Sequence, residues 1–220
     1  MLAGGDVLPM GGPGGGVNTA PLAAPDFYAV PAGDGLIGFT PGVLANDSDP
    51  DGDPIYAVLF SDAAHGVAGI ELFGELSYTP DIGFAGVDSF EYRAFDGDLY
   101  SAPTTVEITV ERIEITGTSR PDKMVGTANA EIFRPLAGGR DHIFLGGGMD
   151  IVVLGDETEN GECEITRIFG FGPDDTLDLG GASVVAVREQ KNGWLRLTLD
   201  GDGDTILLEG VTRADIDSLL

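Results

Sequence analysis

Acidic residues recur about every nine positions between Gly117 and Gly155: Asp122, Glu131, Asp141 and Asp150 stand 9, 10 and 9 residues apart. Two positions after each comes an apolar side chain, Met124, Phe133, Ile143 or Val152. A unit of nine residues accommodates a turn of about six and a strand of three, and this period predicts a parallel β-roll. The turns call for positive φ, which glycine supplies at Gly138, Gly139, Gly146, Gly147 and Gly148. In such a roll the middle strand residue points inward and stacks on its counterpart in the next coil. The acid that closes each turn aims its carboxylate into the gap between successive turns, where backbone carbonyls also converge. An all-oxygen cage suits Ca²⁺, a hard cation, and suits softer metals poorly. The candidate metal site is therefore Asp122, Glu131, Asp141 and Asp150, with Gly138, Gly139, Gly146 and Gly148 shaping it. A roll that folds without metal, or a plain Gly-rich loop, is the alternative.

The four units read GTSRPDKMV, GTANAEIFR, LAGGRDHIF and LGGGMDIVV. They resemble the RTX family of calcium-binding secreted proteins, whose repeat is G-G-x-G-x-D-x-U-x. The last unit keeps Gly146, Gly148, Asp150 and Val152; the third keeps Gly139, Asp141 and Ile143. The second keeps Gly126 but carries Glu131 for the aspartate, and the first keeps Gly117 and Asp122. Pro135 is an extra residue that shifts the register by one. The resemblance implies that calcium is shared between units two apart, pairing Asp122 with Asp141 and Glu131 with Asp150. It implies one or two sites rather than a full ladder.

Charge narrows the partners. With 37 acidic residues against 11 basic, the formal net charge is −26. Nucleic acid is excluded as a partner because phosphate neutralisation needs Lys and Arg, and docking to anionic lipid is disfavoured. Self-repulsion on this scale calls for counter-ions, although halophilic proteins are acidic too. The 35 Gly and 13 Pro, with many Val, Thr and Phe and no long helical period, indicate an all-β protein. Cys163 is alone, so no intrachain disulfide forms, and it reads as a small core or half-buried residue. No window approaches eighteen apolar residues, so membrane insertion is not expected. Residues 1–17 read as a flexible Gly/Pro leader, not a signal peptide.

Residues 18–111 alternate as short strands: FYAV, IYAVLF, LSYTP, DSFEYRAFD and TTVEITVE. Val106, Ile108 and Val110 face one way; Phe90, Tyr92 and Ala94 alternate with Glu91 and Arg93. This pattern suggests an antiparallel sandwich of immunoglobulin type. The combination NTAPLAAPDFYAV, PGVLANDSDPDGDPIYAVL and GELSYTPDIGFAGVDSFEYRAFDG resembles the bacterial cadherin-like or Ig-like repeats of surface and secreted proteins. That resemblance implies a spacer or adhesive arm. Asp47, Asp49, Asp51 and Gly52 copy the first half of an EF-hand loop, but Val58 stands where the bidentate Glu belongs. An inter-loop calcium site involving Asp96 and Asp98, or an Asx-rich turn, are the remaining readings of this loop.

The expected organisation is thus a leader (1–17), a sandwich (18–111), a β-roll (112–160) and a C-terminal β segment (161–220). In the last, SVVAVREQ and WLRLTLD are strands joined at Lys191-Asn192-Gly193, a hairpin turn, with Trp194 as core. The acidic run Asp200–Asp204 reads as a solvated hairpin tip or a metal site. Thr212 caps a short final helix with Asp215 as its box partner. Following the repeats, this region resembles the C-terminal target region of type I secretion substrates, implying export by that machinery and an extracellular location.

Catalytic motifs are absent. His65 and His142 stand far apart, and neither a zinc-protease motif nor a nucleophile elbow occurs. The reading is a non-catalytic, secreted calcium-binding protein that folds on extracellular calcium. The alternative is a cell-surface adhesion or matrix module whose sandwich binds a protein or glycan, favoured by an aromatic patch near Phe73, Phe84 or Tyr100. A hydrolase would be revived only by a pocket with paired carboxylates.

Overall fold

The computed structural model describes residues 17–39, 42–136, 140–154, 165–201 and 203–216, apart from the side chain of Phe39. Residues 1–16 of the expected leader, Gly138, Gly139, Cys163, Asp202 and the last four residues, where a secretion signal is expected, lie outside the described residues. The chain divides into two compact units: residues up to Asp81 with Gly86–Val110, and Ile82–Ala85 with Glu111–Leu220. The fold is all-β, as the composition predicts.

The first unit holds β1 (Asp26–Pro31), β2 (Leu36–Phe39), β3 (Tyr56–Leu59), β4 (Gly66–Ile70), β5 (Leu76–Pro80), β6 (Gly86–Phe95) and β7 (Thr104–Glu111). One sheet has the order β1-β7-β6-β3 and the other β2-β5-β4. Alternation fixes which face each strand buries. Phe90, Tyr92 and Ala94 of β6 are buried, as are Val106, Ile108 and Val110 of β7 and Leu76 and Tyr78 of β5. Cross-strand partners match accordingly, Phe90 against Val106 and Asp88 against Ile108. Strands β2 and β4 are not apparent in the sequence. The first has four residues and a register shift; the second, GVAGI, has two glycines and little apolar weight.

The second unit alternates strands between two parallel ladders. β8 (Ile113–Thr116), β10 (Glu131–Arg134), β12 (Ile151–Val153) and β14 (Thr176–Asp178) form one. β9 (Lys123–Val125), β11 (His142–Phe144) and β13 (Ile165–Phe169) form the other. A strand that always returns to the opposite sheet is the geometry of a parallel roll. Ile143 lies between Met124 and Ile168 in one ladder, and Phe133 lies opposite Val152 in the other. All five are buried in one core with Leu145, Leu177 and Leu208. Pro135 leaves both ladders in register, because the extra residue falls within both two-turn repeats. Met124 to Ile143 and Phe133 to Val152 are each 19 residues apart.

Both ladders run past residue 160, where the sequence places the end of the roll. β13 and β14 add one more rung to each. β15 (Val184–Glu189), β16 (Trp194–Leu199) and β17 (Thr205–Glu209) then extend the second ladder, β17 pairing parallel with β13 and the others antiparallel. Gly193, at φ 82°, closes the hairpin between β15 and β16. The described residues end in a short helix, α1 (Arg213–Ile216), where the Thr212 N–H and hydroxyl both donate to Asp215 at 2.8 and 2.7 Å. Trp194 is not core: it is half-buried and meets Phe169 edge-on at 5.0 Å.

Candidate metal centre

Each acid of the repeat stands one residue before, or at the first residue of, a three- or four-residue strand. Parallel pairing therefore stacks acids from alternate units directly over one another. In the first ladder the column is Glu131, Asp150 and Asp175; in the second it is Asp122 and Asp141, followed by Thr166. The carboxylates are tied rung to rung. The Glu131 N–H donates to Asp150 Oδ1 at 2.9 Å, and the Asp150 N–H to Asp175 Oδ1 at 3.0 Å. In the second column the Asp122 N–H donates to Asp141 Oδ1 at 2.8 Å.

The columns differ in what is left over. Glu131 is 0% and Asp150 1% exposed, yet Glu131 Oε2 and Asp150 Oδ2 are buried without a hydrogen-bond partner. The other Glu131 oxygen accepts from the backbone and hydroxyl of Thr127. Asp175 ends this column, because Oδ2 accepts the Gly172 N–H at 2.8 Å and Oδ1 is already engaged. Asp122 is only half-buried, and its Oδ2 accepts from the Thr118 N–H and hydroxyl. An unpaired carboxylate oxygen away from water is costly unless a cation or proton compensates it. Burial, reinforced by the charges of Glu131 and Asp175, pushes Asp150 up to about 7. Burial likewise raises Asp141 and Asp175 above the usual carboxylate range.

Glycines let successive turns pack closely, Gly126 beside Glu131 itself. A Cβ on Gly126 would lie 2.3 Å from the Leu145 carbonyl oxygen and 3.0 Å from Glu131 Oε2. Gly146 and Gly148, at φ 90° and 98°, would meet the Thr127 and Asn129 carbonyl oxygens at 2.0 and 2.1 Å. Any side chain here would push neighbouring turns apart. Among the described residues no three His, Cys, Asp or Glu side chains gather into a metal-binding group. A cation between these turns would therefore rest on two carboxylates supplemented by backbone carbonyls, a donor set that fits Ca²⁺. Of the ligands inferred from sequence, Glu131 and Asp150 are brought together with oxygens to spare. Asp122 and Asp141 are brought together with less. Asp175 escaped the sequence reading, although Asp175 and Leu177 repeat the acid-x-apolar spacing, because the rung follows 25 residues after Asp150.

The remaining acids are partly engaged, although Asp26 Oδ2 and Asp49 Oδ2 are also buried without a hydrogen-bond partner. Asp49 Oδ1 accepts the N–H groups of Asp51 and Asp53, an Asx turn, and Asp51 accepts the Thr19 N–H. Asp96 accepts from Asp98, Leu99 and Asn18. Asp26 and Asp47 crowd the Tyr92 hydroxyl, and burial raises Asp26 to about 6, with the Asp47 charge adding to it. A cleft of about 580 Å³ beside α1 is lined by Asp174, Asp175 and Asp215. There, both oxygens of Asp175 are held by backbone N–H groups, and the Thr212 hydroxyl and N–H hold Asp215 below the usual range. The Asp200 carboxylate accepts the Ser183 N–H. His142 is half-buried against Phe169 and Arg167.

No curated protein sequence matches this chain. Among solved structures, the endo-fucoidan hydrolase MfFcnA4 of glycoside hydrolase family 107 overlays with a TM-score of 0.34 and 14% identity, over 91% of this chain and 30% of that one. A variant of the same enzyme gives 0.30 and 14% over the same shares. The chain thus spans about a third of those structures' length, and overlays this loose carry no inference. Residues 18–109 match the family model of the bacterial Ig domain, so the first module is Ig-like in sequence as well as in strand order.

Proposed function

We propose that this chain is a secreted, non-catalytic calcium-binding protein of RTX type, with its Ig-like module serving as spacer or adhesive arm. The observation that carries this reading is the pair of buried, unpartnered oxygens on Glu131 and Asp150 in stacked turns. In a calcium-poor cytoplasm the two carboxylates repel each other and the roll stays loose, which suits passage through a type I exporter. Outside the cell, Ca²⁺ takes up the spare oxygens, so metal binding and folding are one equilibrium. Glu131 and Asp150 would hold the ion, with the Asp122–Asp141 column as a weaker second site. The acid-rich surface remains soluble through its own charge.

The residues themselves supply separate reporters. The one tryptophan, Trp194, is in the roll unit, whereas the five tyrosines, Tyr28, Tyr56, Tyr78, Tyr92 and Tyr100, are all in the sandwich. Calcium titration of the chelated chain, with magnesium as control, should shift Trp194 fluorescence and raise far-UV β signal while the tyrosine near-UV signal stays constant. A Trp194 signal indifferent to calcium would sink the reading and leave the roll as a metal-free scaffold.

A second reading, adhesion through the sandwich, draws on exposed aromatics: Phe73 is 68% and Tyr100 49% exposed, the latter stacked on Phe95 at 4.4 Å. Phe84 is half-buried and belongs to the second unit, not to the sandwich. On this reading the first module binds a protein or glycan at the cell surface and calcium only stiffens the chain.

A further inference from the structure

The outer face of the six-stranded sheet concentrates the scarce positive charge of the molecule. Register places Lys123 beside His142, His142 beside Arg167, Arg167 beside Leu207, Leu207 beside Arg196, and Arg196 beside Arg188. One straight row thus holds four of the 11 Lys and Arg residues and one of the two histidines, in a chain of net charge −26. Lys123, Arg196 and Arg188 are exposed, and His142 and Arg167 half-exposed. None of the four cations forms a salt bridge among the described residues. Arg167 turns to His142 at 3.2 Å and Arg196 to the Thr205 hydroxyl at 3.1 Å, contacts that leave both guanidinium charges uncompensated.

An aromatic row runs beside the basic one. Phe144 and Phe169 stack at 4.3 Å, Trp194 meets Phe169 edge-on, and Lys123 Nζ lies 4.9 Å over the Phe144 ring. All three aromatic side chains are half-exposed. Folding alone gives no reason to gather like charges across adjacent strands, where they repel.

We propose that this face binds an anionic polysaccharide, its carboxylate or sulfate groups on the Lys123–Arg188 row and its apolar C–H groups against the ring edges of Phe144 and Phe169 and against Trp194. Six strands at about 4.8 Å spacing give the row a length of about 24 Å, so the fitting ligand is extended. It needs anions along one edge and apolar C–H groups along the other, which a charged glycan has. Guanidinium groups pair well with such anions, and the half-exposed aromatic side chains supply apolar contact beside them.

The test is affinity electrophoresis of the full chain in calcium-containing buffer against dextran sulfate, carboxymethyl-dextran and neutral dextran. Retardation by one or both charged polymers, and not by dextran, is expected; which one retards more separates sulfate from carboxylate. Arg167→Gln with Arg196→Gln should weaken that binding about tenfold or more with Trp194 fluorescence unchanged. Should that pair disturb the fold, Lys123→Gln with Arg188→Gln, both exposed, gives the same reading. The proposal is overturned if neither charged dextran binds or if the folded variants bind as tightly as the parent chain. It is equally overturned if an oligo-dT strand or polyglutamate of matched charge binds more tightly than both dextrans.

Discussion

Both units bury carboxylates, and Asp88 of the sandwich and Asp150 of the roll are treated in opposite ways, although the sandwich has bare oxygens of its own on Asp26 and Asp49. In the sandwich, Asp88 is 3% exposed and every oxygen is used: Oδ1 accepts from Ala64 and Ser89, and Oδ2 from His65 and the Tyr78 hydroxyl. Those donors hold Asp88 below the usual carboxylate range in spite of its burial. In the roll, Asp150 is buried as deeply but keeps one oxygen bare, and burial pushes it up. The first acid is a finished structural part, complete within the fold. The second is finished only by something added, whether a proton or a cation. Burial alone therefore does not mark a site; in the roll, two bare oxygens on stacked rungs do, whereas those of Asp26 and Asp49 in the sandwich are not stacked by a parallel ladder.

The sharpest way to break this comparison is to make the same chemical change in both units. Glu131→Gln with Asp150→Asn keeps the oxygens that already accept hydrogen bonds and replaces the bare, charged ones with neutral amides. Chelated protein should then be as stable as the parent or more so, while the calcium response of Trp194 disappears. With calcium at a hundred to a thousand times its dissociation constant, the lost stabilisation is about 3–4 kcal/mol. Thermal melts with and without chelator read both effects. A variant that keeps its calcium response would move the site to the Asp122–Asp141 column.

Asp88→Asn should act with the opposite sign. An amide at Asp88 must turn its NH₂ toward groups that are themselves donors, leaving at least one buried donor unsatisfied. The sandwich should lose about 2–3 kcal/mol, read from the tyrosine near-UV signal, irrespective of calcium. A neutral outcome would mean that water reaches these donors and that the contrast between the units is overstated.

How much of this was legible in the sequence follows from the same physics. The period of the acids and the inward residues Met124, Phe133, Ile143 and Val152 announce a roll because a parallel ladder makes every rung repeat. The sandwich strands with strong alternation were legible for the same reason. β4 was not, because GVAGI offers no apolar alternation and its place is set by pairing with β5. Nor was the extension of the roll to Asp178, because the longer excursion before β13 and β14 hides the period. Spacing gave the neighbours Glu131 and Asp150 but not the difference between their column and that of Asp122. That difference lies in burial: Thr127 reaches back to Glu131 as Thr118 does to Asp122, but Glu131 is fully buried and Asp122 only half. The basic row was hidden altogether, since its members come from five strands between residues 123 and 196 and only pairing aligns them.

The smallest expected effect is the dependence on pH, and it separates the units most finely. Asp150 holds its proton more tightly folded than unfolded, so protonation favours the folded roll. Its contribution is fully present below the unfolded value near 4 and is lost as pH rises through about 7. Chelated protein should therefore melt higher at pH 6 than at pH 8 in the Trp194 signal. Asp26 behaves likewise in the sandwich, but its raised value of about 6 puts most of its loss below that interval. Asp88 and Asp96, held low, contribute stability that falls away only as pH drops below the ordinary carboxylate range. Between pH 6 and 8 the tyrosine signal should accordingly stay nearly flat while the tryptophan signal moves. Saturating calcium should flatten the tryptophan signal too, because an ion seated on Asp150 requires the charged form and displaces the proton. A roll whose melting keeps the same slope with and without calcium would show that proton and ion do not share the bare oxygen, and that the metal binds elsewhere.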